Sequence, residues 1–377
     1  MRNIWGIGIG ILLLLLTGCS GEQKRQVPKE SKFSSEKEYL CMAFFAESDD
    51  GLYYIESNPD KEIDVLYFAD RKTSKKTVLC QKVNCKHDSD TCEAVVEMPN
   101  MLTNLVYSDG MLYSLEYEMD EEGTFLRLYS RNPDGTEKKM VHTFKNAGMF
   151  PCQAALYKGK FFVSVQITRE EEDGSGASAA EPSILMYDLK TKEERVIVDG
   201  FEEEGIYTGI YGGKDNTIYI GQFSMYEEDR NGACTVKQYD FETEKWSEVC
   251  DITIKDTQII EDDVVYLQPT GKYQLEQYNL QTKESKTVLN WDEDVKQVFV
   301  VLGYAELEKE VEIDGEKKLV YNWYDLEKQE YLFEEYQDSN HIRIRAKLRK
   351  GYCGNYKGEM AFYDMDDKKW QELEVIE

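Results

Sequence analysis

The chain is short of the residues on which most catalytic signatures depend. It has three histidines in 377 residues, His87, His142 and His341. It contains no His-Glu-x-x-His, no Gly-x-Ser-x-Gly and no glycine-rich phosphate loop. His142 (Val-His-Thr-Phe) and His341 (Asn-His-Ile-Arg) stand in no catalytic phrase, and His142 reads as a strand residue with ordinary polar contacts. Proline is scarce at 7, and no stretch keeps a helical period, so a helical bundle is excluded. Positive charge is short as well: 45 Lys and Arg face 73 Asp and Glu, a net charge of −28. Such a surface repels phosphate backbones, so nucleic acid is not an expected partner. It repels anionic lipid headgroups too. The acidity builds no calcium loop of the Asp-x-Asx-x-Asx-Gly kind. Runs such as Glu170-Glu171-Glu172 and Glu202-Glu203-Glu204 read as solvated faces, and carboxylates alone do not make a glycosidase.

Tyrosine, by contrast, is abundant at 26, within a hydrophobic fraction of 41%. Tyr, Val and Ile suit the pleated, half-buried surface of a strand. One phrase recurs: a Tyr-Asp-like pair, a short polar turn with Lys, then a second alternating segment. Its copies start at Tyr67, Tyr129, Tyr187, Tyr239, Tyr278, Tyr324 and Tyr363. Each is a hairpin by its alternation and turn chemistry. Most copies follow a second turn and strand, as at Asp50-Gly51, Asp109-Gly110, Lys158-Gly159, Asp215-Asn216 and Asp262-Asp263. The copies are spaced 62, 58, 52, 39, 46 and 39 residues apart, and two hairpins per period make about four strands. The expected fold is all-β, a β-propeller of seven blades with six and eight as the neighbouring counts. A pair of β-sandwiches is the rival, but it does not require one strand-turn-strand phrase to recur. Closure of the ring is expected from Tyr39 to Phe45, donated as the missing strand of the final blade.

The N-terminus differs from everything that follows. Met1-Arg2 precede an apolar run from Ile4 to Leu16, and Leu16-Thr17-Gly18-Cys19 ends it before Ser20-Gly21-Glu22 turns polar. The run is too short to span a bilayer comfortably. The segment resembles a bacterial lipoprotein signal with its lipobox. That resemblance implies cleavage before Cys19, a diacylglycerol on its thiol and a lipid anchor at the extracytoplasmic face of the cell membrane. Residues 1–18 carry only Arg2, so the mature charge becomes −28 − 1 = −29. Residues 19–36 then read as a lipidated flexible linker, and 37–377 as the propeller domain, with the first apolar run near Tyr39.

Eight cysteines remain beside Cys19: Cys41, Cys80, Cys85, Cys92, Cys152, Cys234, Cys250 and Cys353. Export permits disulfides among them. The densest cluster is Cys80-x4-Cys85-x-His87-x4-Cys92. Three thiols and an imidazole suffice for a tetrahedral zinc site, and a disulfide within the cluster, or from it to Cys41 or Cys152, is the competing account. Leu79-Cys80-x4-Cys85-x-His87 is also similar to a segment of exported β-propeller lipoproteins of gut Firmicutes, where it follows an early blade strand. That resemblance implies location and fold and no activity. Cys234 with Cys250 across one hairpin, and Cys41 with Cys353 across the ring closure, are the other candidate pairs.

Trp246, Tyr331 and Trp370 stand seven residues after the repeat Tyr in three copies, a pattern expected of packing between blades. Tyr207, Tyr211, Tyr226 and Trp291 lie near expected strand ends and are the candidate surface aromatics. The functional expectation is a membrane-anchored module that binds a protein or an extracellular saccharide. Its alternative is a carboxylate-dependent glycan-active enzyme, hydrolase or lyase, at the channel mouth. That alternative requires two or more acidic side chains and a basic partner to converge there.

Overall fold

The computed structural model describes residues 31–375 apart from 59–62, 90, 97–103, 121–122, 145–146, 148–152, 171–177, 201–205, 225–233, 250–259, 262–263, 269–271, 302, 314 and 339. Every regular element among them is a strand, and no helix is long and apolar enough to cross a membrane.

The strands form seven sheets, each built around a four-stranded antiparallel meander. Blade 1 holds Phe45–Glu47, Gly51–Asn58, Ile63–Asp70 and Lys75–Val78. Blades 2 to 5 begin at Asn104, Ala154, Ile206 and Ile260. Blade 6 runs through Val295–Val301, Tyr304–Ile313, Glu316–Asp325 and Glu330–Tyr331. Blade 7 runs through Ile342–Lys347, Tyr352–Tyr356, Glu359–Asp364 and Lys369–Glu372. Seven apolar clusters fill seven seams. The first three join blades 1 and 2, 2 and 3, and 3 and 4. The next three join blades 4 and 5, 5 and 6, and 6 and 7. The last, with Leu52, Tyr54 and Ala69 against Ala346, Leu348 and Phe362, joins blade 7 to blade 1. The chain is therefore a closed, seven-bladed β-propeller. Each sheet has two apolar faces because each is packed between two neighbours.

The repeated Tyr-Asp phrase has a local cause. Asp70, Asp188, Asp240, Asn279, Asp325 and Asp364 each accept two backbone N–H bonds, from the residues two and three further on, at 2.7–3.1 Å. The side chain thereby closes the turn between the third and fourth strands. Four residues past each lies a left-handed residue: Ser74, Lys192, Glu244, Lys283, Gln329 or Lys368, with φ between 50° and 64°. The turns between first and second strands are of another kind. At Asp109-Gly110, Lys158-Gly159 and Lys357-Gly358 both residues have positive φ, the two-residue geometry that matches strand twist; the last of these joins second and third strands.

Two expectations need correction. The N-terminal run does not complete the last blade, which is supplied entirely by residues 342–372. Leu40–Met42 instead lies against the innermost strand of blade 3, Leu40 opposite Leu156 and Met42 opposite Ala154. The chain then bridges Ala43 to Leu105 of blade 2 before Phe45–Glu47 becomes the innermost strand of blade 1. An extra strand thus occupies the channel beside blades 2 and 3. The ring closes at its rim, where Glu374–Val375 pairs in parallel with Lys75–Lys76 of blade 1. Arg71 and the Arg349 amide meet on Glu47 at that seam, with Arg71 Nη2 at 2.6 Å and the amide at 3.0 Å.

The body also starts earlier than expected, within the stretch assigned to the linker. Phe33, Ser34 and Ser35 are buried. Phe33 packs edge-on to Tyr107, with the Arg349 guanidinium 4.3 Å over its ring. The Asp109 amide donates to Phe33 O at 2.9 Å, and the Ser35 amide to Ser108 Oγ at 2.9 Å. Lys32 N reaches Asp49 Oδ2 at 3.1 Å. These partners sit at the turns between the first and second strands of blades 1, 2 and 7, so residues 31–36 lie across that face of the ring.

The repeated aromatics pair across their own hairpins; Trp246 and Tyr331 are exposed, against expectation, while Trp370 also packs against the seam between blades 6 and 7, as expected. Tyr239 faces Trp246, Tyr324 faces Tyr331 and Tyr363 faces Trp370 directly across their hairpins. Seven residues is the separation that a turn of this length imposes on a cross-strand pair.

Candidate functional site

Two regions gather chemistry-bearing side chains. The first is a cavity of about 1070 Å³ between blades 1, 6 and 7. In a ring of seven these blades lie across the channel from blade 3, where the extra strand sits. The cavity is lined by innermost-strand residues of all three blades and extends onto the second and third strands of blades 1 and 7. Phe44, Phe299 and Val301 line it and are exposed, at 53%, 39% and 37%. Arg343 and Arg345 come from the innermost strand of blade 7.

The acidic groups of the lining are mostly neutralised from within. Lys76 Nζ holds Glu56 at 2.8 Å and Glu359 at 3.5 Å. Trp323 Nε1 donates to Glu306 Oε2 at 2.8 Å. Burial raises the Glu306 carboxyl above its ordinary range, against the indole bond and the Arg343 charge, which pull it down. Arg345 donates through Nε to Asn355 Oδ1 at 3.2 Å. Its guanidinium touches solvent but is enclosed by the cavity walls; that burial, and then the Arg343 charge, hold it below the usual arginine range. Arg343 lies 6.0 Å over the Tyr321 ring. Arg343 and Arg345 are both solvent-exposed, and they bring two cations to one concave site of an acidic chain. The sequence carried a faint signal of them, the alternation Ile342-Arg343-Ile344-Arg345-Ala346, but nothing local places that strand beside a cavity.

The second region is the cysteine cluster. The outer strand of blade 1 is interrupted after Val78. Leu79 N donates to Leu66 O at 2.9 Å, and Leu66 N donates to Ala94 O at 2.8 Å. Val95 and Val96 then resume pairing, opposite Val65 and Asp64. Residues 80–93 are thus an excursion whose two ends meet on one residue, Leu66. The loop leans on blade 2: Gln81 Nε2 donates to Asp134 O at 3.0 Å, and buried Arg131 donates to Glu93 O at 2.7 Å. Within it the sequence-expected residues do come together. One donor atom from each of Cys80, Cys85, His87 and Cys92 lies within 4.8 Å of the others. His87 Nδ1 is 3.3 Å from Cys92 Sγ. The Lys82 amide donates to Cys80 Sγ at 3.4 Å. The His87 amide donates to Cys85 and lowers its thiol pKa; burial pushes the Cys92 thiol up to about 12, against the Ala94 amide.

Cys41, Cys80, Cys85, Cys92 and Cys353 are all free thiols, which corrects the disulfide expectation for these five. Cys41 cannot staple Cys353, because it sits opposite Ala155 on blade 3 while Cys353 is buried in the seam between blades 7 and 1. Cys19, Cys152, Cys250, Tyr226, Glu202–Glu204 and the side chains of Cys234 and Tyr207 lie outside the described residues. Tyr211 is a buried seam residue and Trp291 packs against the seam between blades 5 and 6, so neither is a surface platform. His142 is a strand residue, as expected, bonded to Glu194 at 2.5 Å and stacked on Tyr187 at 4.1 Å.

No protein-family model and no curated protein matches the chain. Solved structures do. An acylaminoacyl peptidase from Pyrococcus horikoshii matches with a TM-score of 0.53 and 10% identity, over 90% of this chain and 54% of its own. A prolyl endopeptidase structure matches with a TM-score of 0.51 and 9% identity, over 89% of this chain and 50% of its own. The chain thus spans about half the length of these peptidases. At such identity the likeness is one of fold, the propeller already evident in the seven seams.

Proposed function

We propose that this chain is an exported propeller, tethered through a lipid on Cys19 to the extracytoplasmic face of the cell membrane, and that it acts as a binding module. The carrying observation is the cavity between blades 1, 6 and 7. It presents exposed Phe44, Phe299 and Val301 beside Arg343 and Arg345. Aromatic faces with a few convergent polar groups in a concave site are what ligand recognition uses. A sugar ring or a peptide side chain would stack on the phenylalanines. A carboxylate on the same ligand would meet the two guanidinium groups, which favour planar, bidentate recognition of carboxylates. The ligand class is therefore an acid-bearing saccharide or protein segment.

Arrays of acidic and neutral oligosaccharides and peptides test this against the wild-type chain, Arg343→Ala/Arg345→Ala and Phe44→Ala/Phe299→Ala. The expected result is binding biased to acidic ligands and reduced at least tenfold in both variants. Binding unaltered in both would refute the seat. For the anchor, labelling with a fatty acid should mark the wild type and not Cys19→Ser.

One observation favours a second reading, the glycan-active enzyme. Glu306, Asp64, Glu56 and Glu359 converge on the cavity with two arginines, and burial raises the Glu306 carboxyl above its ordinary range, the direction a general acid needs. Release of shortened products from an acidic oligosaccharide, abolished in Glu306→Gln while binding persists, would support it.

A further inference from the structure

We propose that Cys80, Cys85, His87 and Cys92 bind one zinc ion, and that this ion staples the excursion in the outer strand of blade 1. The argument begins with the loop. The described residues of 80–93 contain no strand, the stretch carries few apolar side chains, and it leaves the sheet and returns to it at the same point, Leu66. A loop of that length inside a compact sheet, without structure of its own, needs a cross-link or a function to hold it. The five described cysteines form no disulfide, so the cross-link is not covalent there.

The donors are already gathered. All four lie within 4.8 Å of one another. Tetrahedral zinc with bonds of about 2.3 Å to sulfur and about 2.1 Å to nitrogen separates two sulfurs by about 3.8 Å and a sulfur from a nitrogen by about 3.6 Å. The pair His87 Nδ1 and Cys92 Sγ, at 3.3 Å, is near that value, and closing the rest needs about 1 Å of movement. The loop backbone is folded to suit thiolates. The amides two residues beyond Cys80, Cys85 and Cys92, those of Lys82, His87 and Ala94, point at the respective sulfurs. Left-handed residues at Asn84 and His87 make the tight turns that this requires. Three thiolates and an imidazole are a zinc set rather than a magnesium or calcium set, and four protein ligands leave no open position. The site is structural, separate from the cavity between blades 1, 6 and 7.

The site binds the loop to its neighbours as well as to itself. Leu79, at the neck, touches the Gly135 turn of blade 2 so closely that a Cβ on Gly135 would meet Leu79 O at 2.4 Å. Metal in the loop therefore fixes the outer end of the seam between blades 1 and 2.

The test uses protein purified from cells making the full chain. Elemental analysis should find about one zinc per chain in the wild type. Exchange with cobalt should give visible bands of tetrahedral coordination with thiolate-to-metal charge transfer. Cys85→Ser and His87→Asn, both at partly exposed positions of the loop, should each lower the bound zinc at least tenfold after dialysis against a weak chelator, while Cys41→Ser retains it. Zinc-free wild-type protein would overturn the proposal, as would a Cys80–Cys85, Cys80–Cys92 or Cys85–Cys92 disulfide in non-reducing peptide mapping. Undiminished zinc in the Cys85→Ser/His87→Asn double variant would overturn it too.

Discussion

Arg131→Met would take from a buried carboxylate one of its two cations. Arg131 and Glu116 are 0% and 2% exposed, inside blade 2. Arg131 Nη2 donates to Glu116 Oε1 at 2.7 Å and to Ser114 Oγ at 3.2 Å, and Nη1 donates to Glu93 O at 2.7 Å. Lys138 Nζ holds the second Glu116 oxygen at 2.7 Å and would remain. Removing one member of a buried ion pair costs about 3–5 kcal/mol, and the surviving lysine places the expectation near 3. Unfolding entropy of about 2.1 cal/mol/K per residue, over the 375 − 31 + 1 = 345 residues of the body, converts that into a fall in Tm of about 4 °C. The pH dependence is a second reading of the same network. Burial alone would raise the Glu116 carboxyl, but Arg131 and Lys138 outweigh it and hold it below its ordinary range. A folded pKa below the unfolded one gives stability that is present above the unfolded value, near 4.3, and lost as pH falls through the folded value. Wild type and Glu116→Gln should therefore differ most near neutrality and converge in acid. Calorimetry at pH 7 and at acid pH measures both effects. A loss below about 1 kcal/mol for Arg131→Met, or a gap that widens on acidification, would refute the reasoning.

Three further outcomes follow from geometry. Asp325 is 1% exposed and takes Tyr352 Oη at 2.6 Å and Lys347 Nζ at 3.0 Å besides its two turn amides, so Asp325→Ala should lose about 3 kcal/mol in urea denaturation, whereas Asp240→Ala, at the same turn of blade 4 but at a more exposed position, should lose far less; equal losses would show that the turn alone matters. Gly135→Ala, at φ 86° and against Leu79, should speed proteolysis within residues 80–93, while Gly315→Ala, at φ 79° with nothing within 4 Å, should leave that cleavage rate unchanged. Phe33→Ala should cost about 3 kcal/mol and accelerate hydrogen exchange at the Asp109 amide, which donates to Phe33 O; unaltered exchange would mean that residues 31–36 are held by something other than the ring.

The blade count was legible because its cause is local. An Asx residue that closes its own turn, followed four residues on by a left-handed residue, writes the same phrase into the sequence where the third strand meets the fourth in every blade but the second. The cysteine cluster was legible for the same reason, since its four donors fall within thirteen residues. What escaped was set by contacts across the chain. Phe33 is one aromatic in a polar stretch, and its burial depends on Tyr107 and Arg349, far along the sequence. Ring closure rests on a two-residue parallel pair, Glu374–Val375 with Lys75–Lys76, which has no alternation long enough to read. Tyr39 to Phe45 had the strand character expected of it, but its partner was the inner edge of blade 3. The two cavity arginines read as ordinary exposed strand residues, because only the meeting of three blades makes a cavity beside them.

The docking of residues 31–36 gives the molecule a polarity. Between Cys19 and Ser31 lie 31 − 19 = 12 steps of chain, which reach no further than about 40 Å when fully drawn out. A lipid on Cys19 would hold the start of the docked segment within that reach of the bilayer and so favour one side of the ring over the other. The side crossed by Phe33 would look down at the headgroups, and the loops joining second to third strands would look away from the cell, toward whatever arrives from outside.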